Sequence, residues 1–199
     1  MPYDVLVIGG GMAGLLTAYC LQQKGIQTVL VEKDRLCSGT TAGTTAKITA
    51  QHGLIYHKLI RSIGTQGATQ YYRANAEAAE RLKNLCKQFG VPMEEKANFV
   101  YSSSRQKLGD ELSALHKLGI PAIFEESPPL PISTAGAVGI PGQAQFHPLK
   151  LSNHLAKELT IYENAGVMEL IGTTAKTENG SIQAKKIIVA THFPFLKKH

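Results

Sequence analysis

Gly9, Gly11 and Gly14 stand in the order Gly-x-Gly-x-x-Gly, written GGGMAG with Met12 and Ala13 inside the motif. Each glycine in such a turn answers a different need. The first permits a tight turn, the second lets backbone approach a pyrophosphate, and the third lets a helix pack closely on the preceding strand. Amides at the start of that helix, with the positive end of its dipole, then attract a diphosphate. Alone the pattern is weak, but its setting strengthens it. It follows the apolar run Tyr3–Ile8 (YDVLVI) and opens a helical stretch carrying Leu15, Leu16, Ala18, Tyr19 and Leu21. The next apolar run, Thr28–Val31, leads to Glu32, close to the spacing of roughly 20 residues at which an acid meets ribose hydroxyls. A carboxylate there accepts hydrogen bonds from ribose and repels a 2′-phosphate, which disfavours NADP. Dinucleotide binding is the chemistry implied.

The elements that must hold this turn can be read around it. Tyr3–Ile8 has no polar alternation, as expected of a buried parallel strand. Gly25 is placed to stop the helix, and strand, turn, helix, strand make one βαβ unit. Residues 37–50 (CSGTTAGTTAKITA) can bury little and read as a loop or helix end that offers backbone to a ligand. From about residue 65 to 89 the pattern is helical, with Tyr72, Ala76, Ala79, Leu82, Cys86 and Phe89 on one stripe and Gly90 and Pro92 ending it. Residues 99–101 read as a strand and 108–118 as a second amphipathic helix. Pro128, Pro129 and Pro131 mark an extended loop, and residues 137–140 a short strand. A helix is expected from Pro148 to about residue 159, since proline suits a first turn. Strands follow at Thr160–Tyr162 and Val167–Ile171. Asn179-Gly180 signals a two-residue hairpin between 173–177 and 182–183, and 186–190 (KIIVA) is a last buried strand.

Composition excludes several classes. With 43% hydrophobic and 18% charged residues the chain suits a soluble globular protein, and no apolar run nears the roughly 20 residues of a membrane span. The N-terminus lacks the basic start of a signal peptide, so a cytoplasmic protein is expected. The basic residues behind the net charge of +6 are scattered, the densest run being Lys197-Lys198 at the end, and nucleic acid is not an expected partner. Cys20, Cys37 and Cys86 show no CxxC, which argues against disulfides and structural zinc. Cys20 and Cys86 read as buried fillers of helix faces, while Cys37 lies nearer the expected ligand. His147 and His154 share a helix face without a carboxylate partner, a poor metal site, and no metal is expected. Tyr71 and Tyr72 read as core and rim, and Lys47 and His52 as a surface lysine and a helix-capping histidine unless they reach a cofactor ring.

Beyond Glu32 the chain runs on as KDRLCSGTTAGTTAKIT, where a plain NAD domain would go to another helix and strand. Its end, KKIIVATHFPF, resembles the strand finishing in Ala-Thr-Gly of FAD enzymes, with His192 in place of glycine. With Phe146-His147-Pro148, these segments resemble the FAD-dependent amine and amino-acid oxidase family, related to glycine oxidase and D-amino-acid oxidase. GTTAKITAQHGLIY, IYENAGV and IIVATHFPF are similar to a bacterial branch often followed by a Rieske iron–sulfur domain.

The resemblance implies an α/β fold: a Rossmann-type FAD-binding domain with a parallel sheet from residues 1–60 and 145–199, and an inserted, incomplete α+β substrate lobe at 61–144. It implies that Gly9, Gly11, Met12, Ala13 and Gly14 hold the pyrophosphate of FAD, Glu32 the ribose, and that Lys33 flanks the adenosine. Thr40 and Thr41 match phosphate-touching positions, and Thr45, Ala46, Lys47 and Ile48 the segment along the isoalloxazine ring. Val167 matches a backbone contact to adenine, and Ala190 and Thr191 the strand end closing over the ADP half. The implied reaction takes a hydride from the carbon beside the nitrogen of a small amine or amino acid. The family's substrate-binding positions lie mostly beyond Thr191, so a truncated chain, weak in FAD retention and without turnover, is expected, with a C-terminal half or Rieske-type domain as partner. An NAD(H)-dependent reductase and a non-catalytic dinucleotide-binding piece remain the alternatives.

Overall fold

The computed structural model describes residues 3–129 and 131–192; Phe193, Pro194, Phe195 and the Lys197-Lys198 pair lie outside them. In chain order the elements are β1 (Tyr3–Ile8), α1 (Met12–Gln22), β2 (Thr28–Val31), β3 (Lys47–Ile48), α2 (Tyr56–Gln88), β4 (Met93–Tyr101), α3 (Arg105–Lys117) and β5 (Ile123–Glu125). They continue with β6 (Ala137–Phe146), α4 (Pro148–Lys157), β7 (Thr160–Tyr162), β8 (Val167–Ile171), β9 (Thr174–Thr177) and β10 (Gly180–Val189). The chain divides into two compact units, one of residues up to 45 with those from 147 on, the other of residues 46–146.

The first unit is organised by a six-stranded sheet in the order β7-β2-β1-β10-β9-β8. β1 pairs in parallel with β2 on one side and β10 on the other, Ile8 facing both Val31 and Val189. Strands 3–8, 28–31 and 186–189 therefore lie parallel in one sheet. Val5 to Ile8 and all of β2 are buried, which is why these runs show no polar alternation. β10 is one continuous strand where the sequence suggests two. Its first half is antiparallel to β9 and its second half parallel to β1. One face of the sheet packs Leu6, Ile8, Val29 and Val31 against Ala175 and Ala184 from the β8–β10 meander. The hairpin turn also differs by one residue. Glu178 and Asn179 form the loop and Gly180 already pairs with Thr177, because the Thr177 hydroxyl accepts the Asn179 N–H and donates to the Gly180 carbonyl.

The second unit has β3, β4 and β5 all antiparallel to the long strand β6. Two of these, β3 and β5, are too short for a periodic signal. Residues 46–60 go with this unit, whereas the sequence reading sets the boundary at residue 60. Lys47 and Ile48 pair with Gln145 and Ala144, and Tyr56 is fully buried among Leu108, Leu115, Val138 and Ile140. α2 also begins nine residues before the expected start of about 65, interrupted at Gly64 (φ 74°, ψ 171°). Its early turn is held from outside. The buried Glu111 of α3 accepts the N–H groups of Ile55 and Tyr56 on Oε1 and that of His57 on Oε2, at 2.9–3.0 Å. Ile55 at the helix start has no side chain able to cap, so a carboxylate distant in sequence does the work. Among the described residues no helix is long and apolar enough to cross a membrane.

Candidate functional site: a glycine turn with an acid beside it

At the end of β1 the chain turns through Gly9 to Gly11 and enters α1. Gly9 has φ +113°, and a Cβ on it would lie 2.9 Å from both the carbonyl carbon and oxygen of Ala190. The turn and the end of β10 are thus in direct contact, and Ala190 N–H donates to Ile8 O at 2.8 Å. A Cβ on Gly14 would sit 1.9 Å from the Gly9 carbonyl oxygen, so α1 lies on the turn with no room for a side chain. Gly10 is hemmed in as well, with the Leu36 and Glu32 side chains 2.5 and 2.8 Å from where its Cβ would be.

Gly11 is different. Its backbone is extended (φ −77°, ψ 179°), a conformation open to any residue, and a Cβ there would meet only Thr41 Oγ1, at 3.6 Å. It is the N-cap residue of α1 and has no side chain with which to cap it. The Met12 amide donates to Thr41 Oγ1 at 3.1 Å, and Ala13 is exposed. Packing and backbone strain account for Gly9, Gly10 and Gly14 but leave Gly11 as open ground in front of a helix start.

Glu32 closes one side. Its Oε2 accepts the Gly10 N–H at 2.6 Å and its Oε1 that of Asp34 at 3.0 Å, so the carboxylate is fixed beside the glycine turn. The backbone is fixed too, since Glu32 N–H donates to Tyr162 O and Glu32 O accepts from Ala165 N–H. Lys33 is exposed and ion-pairs with Asp34 at 3.5 Å. A Cβ on Gly166 would lie 3.3 Å from Lys33 Cβ, which sets the start of β8 at Val167 next to the Glu32-Lys33 corner.

The structure therefore brings together Gly9, Gly11, Met12, Gly14, Glu32, Lys33, Thr41, Val167, Ala190 and Thr191. Thr40 and Thr45 are exposed on the same unit. Ala46 (φ +48°), Lys47 and Ile48 belong to the other unit, with Ala46 and Ile48 buried and Lys47 exposed on β3. His52 is no helix cap; its Nδ1 lies 3.0 Å from the Tyr71 hydroxyl, and Tyr71 and Tyr72 pack edge-on against Tyr56. His147 caps α4, accepting the Lys150 N–H at 3.3 Å. Cys20 is exposed, not buried, because it lies on the outer side of α1, whereas Cys86 is fully buried.

Sequence reasoning passed over Gly10, Asp34 and Ser152, and placed Cys37 near the ligand without a partner for it. Gly10 was legible as the middle of three successive glycines. Asp34 and Ser152 carry no motif, and they and the partners of Cys37 emerge only when β2, α4 and the turn are seen together.

The geometry agrees with what the chain is similar to. A family model described as FAD dependent oxidoreductase matches residues 4–196. Among curated proteins, YhfW of Bacillus subtilis (strain 168), named as a Rieske 2Fe-2S iron-sulfur protein, is 34% identical over 206 residues, which cover 96% of this chain and 40% of YhfW. Among solved structures, glycine oxidase from Geobacillus kaustophilus matches with a TM-score of 0.68 and 19% identity over 96% of this chain and 55% of its own. L-proline dehydrogenase from P. horikoshii matches with a TM-score of 0.71 and 17% identity over 96% and 53%. At these identities the structural likeness is one of fold. The chain spans about half the length of these solved structures and less of YhfW. A match over nearly every residue places the protein in its family: the chain belongs to the FAD dependent oxidoreductases.

Proposed function

We propose that the first unit holds the ADP part of FAD at the Gly9–Gly14 turn. The whole protein oxidises an amine or amino acid, with the hydride passing to the flavin. The observation that carries this reading is Gly11. The fold needs no glycine there, and the space a side chain would fill is where a pyrophosphate approaches a helix start. In this reading Gly11, Met12 and Ala13 present backbone to the phosphates, Thr40 and Thr41 add hydroxyls, and Glu32 accepts from the ribose. Lys33 and the Val167 backbone border the adenosine, and Ala190 and Thr191 close the strand end. The resemblance assigns Thr45, Ala46, Lys47 and Ile48 to the ring. When bound, FAD supplies the hydride acceptor, and the protein's share is binding, orientation and exclusion of water.

Likeness to glycine oxidase and L-proline dehydrogenase supports a small amine or amino acid as substrate, and likeness to YhfW supports a Rieske-type domain as electron-transfer partner. The test begins with binding. Glu32→Ala should weaken FAD and ADP by about 1–3 kcal/mol, the scale of hydrogen bonds to a charged group. Flavin absorbance and calorimetry read this directly, and affinities unchanged from wild type would refute the site. For the substrate, anaerobic bleaching of flavin bound to the full-length protein by glycine, sarcosine or proline is expected; bleaching by none of a broad amine panel would refute that part.

A further inference from the structure

Cys37 follows β2 in the left-handed region (φ +57°) and is 4% exposed. Its N–H donates to the Gly10 carbonyl at 3.0 Å, and its sulfur lies 3.4 Å from the same oxygen. The thiol also reaches the Ser152 hydroxyl of α4 at 3.1 Å, and that hydroxyl in turn donates to the Pro148 carbonyl at 2.9 Å. Burial raises the thiol pKa, with Ser152 and Thr41 opposing it, so the sulfur keeps its proton at neutral pH and donates to the Ser152 hydroxyl. Thr41, four residues on from Cys37, accepts the first amide of α1, that of Met12, at 3.1 Å. Segment 37–41 forms a strap across the glycine turn, with its sulfur anchored on α4.

We propose that Cys37 and Ser152 are positioning residues for the dinucleotide, fixing through Gly10 and Thr41 the backbone on which the diphosphate lies. The proposal rests on the dinucleotide reading of the turn. An inert filler would contribute volume alone, and its replacement by alanine would lower stability and leave affinity untouched. A positioning pair behaves otherwise. Its removal lets the strap drift, and binding must then restore the geometry at the expense of affinity.

The probe is ADP, titrated calorimetrically into the full chain, with unfolding midpoints measured in parallel. Cys37→Ala and Ser152→Ala should each weaken ADP about three- to ten-fold, the worth of one neutral hydrogen bond. The double variant should weaken it no further than the larger single effect, since both cut one network. Cys37→Ser keeps a donor of smaller size and should recover most of the loss. Cys37→Ala with wild-type ADP affinity, whatever its stability, overturns the proposal. So does fully additive loss in the double variant.

A second measurement needs no substitution at Cys37. In a Cys20→Ser background, saturating ADP should slow alkylation of Cys37 by N-ethylmaleimide, read by peptide mass spectrometry. A ligand that binds only the closed strap suppresses its opening, and an unchanged rate overturns the proposal. Failure of the underlying reading looks different. Wild-type protein that binds no ADP, or Gly11→Val that binds it normally, removes the dinucleotide site and the proposal with it.

Discussion

Two glycines of one turn should separate stability from binding. In Gly14→Ala the new Cβ would stand 1.9 Å from Gly9 O and 3.1 Å from Gly9 C, both backbone atoms. Carbon and oxygen need about 3 Å, so turn and helix must part by roughly 1 Å. Neither moves freely. Gly9 N–H is bonded to Val31 O at 2.8 Å, and α1 is packed through Leu15 and Ala18, both fully buried. Overpacking of this kind costs about 1–3 kcal/mol, and the upper end applies where both contacting atoms are main chain. The better helix propensity of alanine, up to about 1 kcal/mol, returns part of that and leaves a net loss near 2 kcal/mol. Gly11→Ala meets nothing nearer than 3.6 Å and needs no unusual φ. Its poorer N-cap character and its reduced unfolded-state entropy are each of order 1 kcal/mol or less and opposite in sign. Urea unfolding should therefore show a clear drop in midpoint for Gly14→Ala and almost none for Gly11→Ala. ADP titration should show at least a ten-fold loss for Gly11→Ala, where the methyl takes the ligand's place. A Gly11→Ala protein that binds ADP like wild type would refute the assignment of that space, and an undestabilised Gly14→Ala would refute the packing argument.

Glu111→Ala should destabilise the second unit by about 3 kcal/mol or more, since it leaves three amides of residues 55–57 without their acceptor. Glu111→Gln keeps the shape and should lose less; equal midpoints for Glu111→Ala and wild type would sink the capping role. A pH effect follows from Glu126, whose carboxyl the Arg105 guanidinium holds below its ordinary value of 4.5. A depressed folded-state pKa makes its contribution present above pH 4.5 and lost as pH falls through that value toward the lower folded one. The group is fully exposed, so the slope should be shallow and fade with salt. Glu126→Gln should flatten it, and an unaltered acid-side slope would exclude the pair as its source.

How much was legible depends on where each interaction partner lies in sequence. β1, β2, β7 and β8 were readable because each is a short apolar or β-branched run between turn residues, and burial on both faces removes polar alternation from β1 and β2. α4 announced itself by Pro148. The start of α2 was not readable, because Ile55 offers no cap and the acceptor is Glu111, more than fifty residues on. β3 and β5 escaped because two- and three-residue strands exist only by pairing with β6. The hairpin slipped by one residue because the Thr177 hydroxyl, and not the Asn-Gly pair, decides where the loop sits.

The site divides along the same line. Gly9, Gly11, Gly14 and Glu32 can be singled out in the sequence because their spacing is local and each has a separate expected task. The structure then sharpens those tasks unequally. Gly9 answers to the Ala190 carbonyl, Gly14 to the Gly9 carbonyl, and Gly10 to the Glu32 and Leu36 side chains, so all three are demanded by the protein itself. A motif that were only a packing device would show the same demand at every glycine. Gly11 shows none, neither in φ nor in space. That asymmetry cannot be seen in the string GGGMAG, where the glycines look alike. It is the asymmetry expected of a turn shaped for a ligand and not for folding alone, and it makes Gly11 the residue on which the functional reading stands or falls.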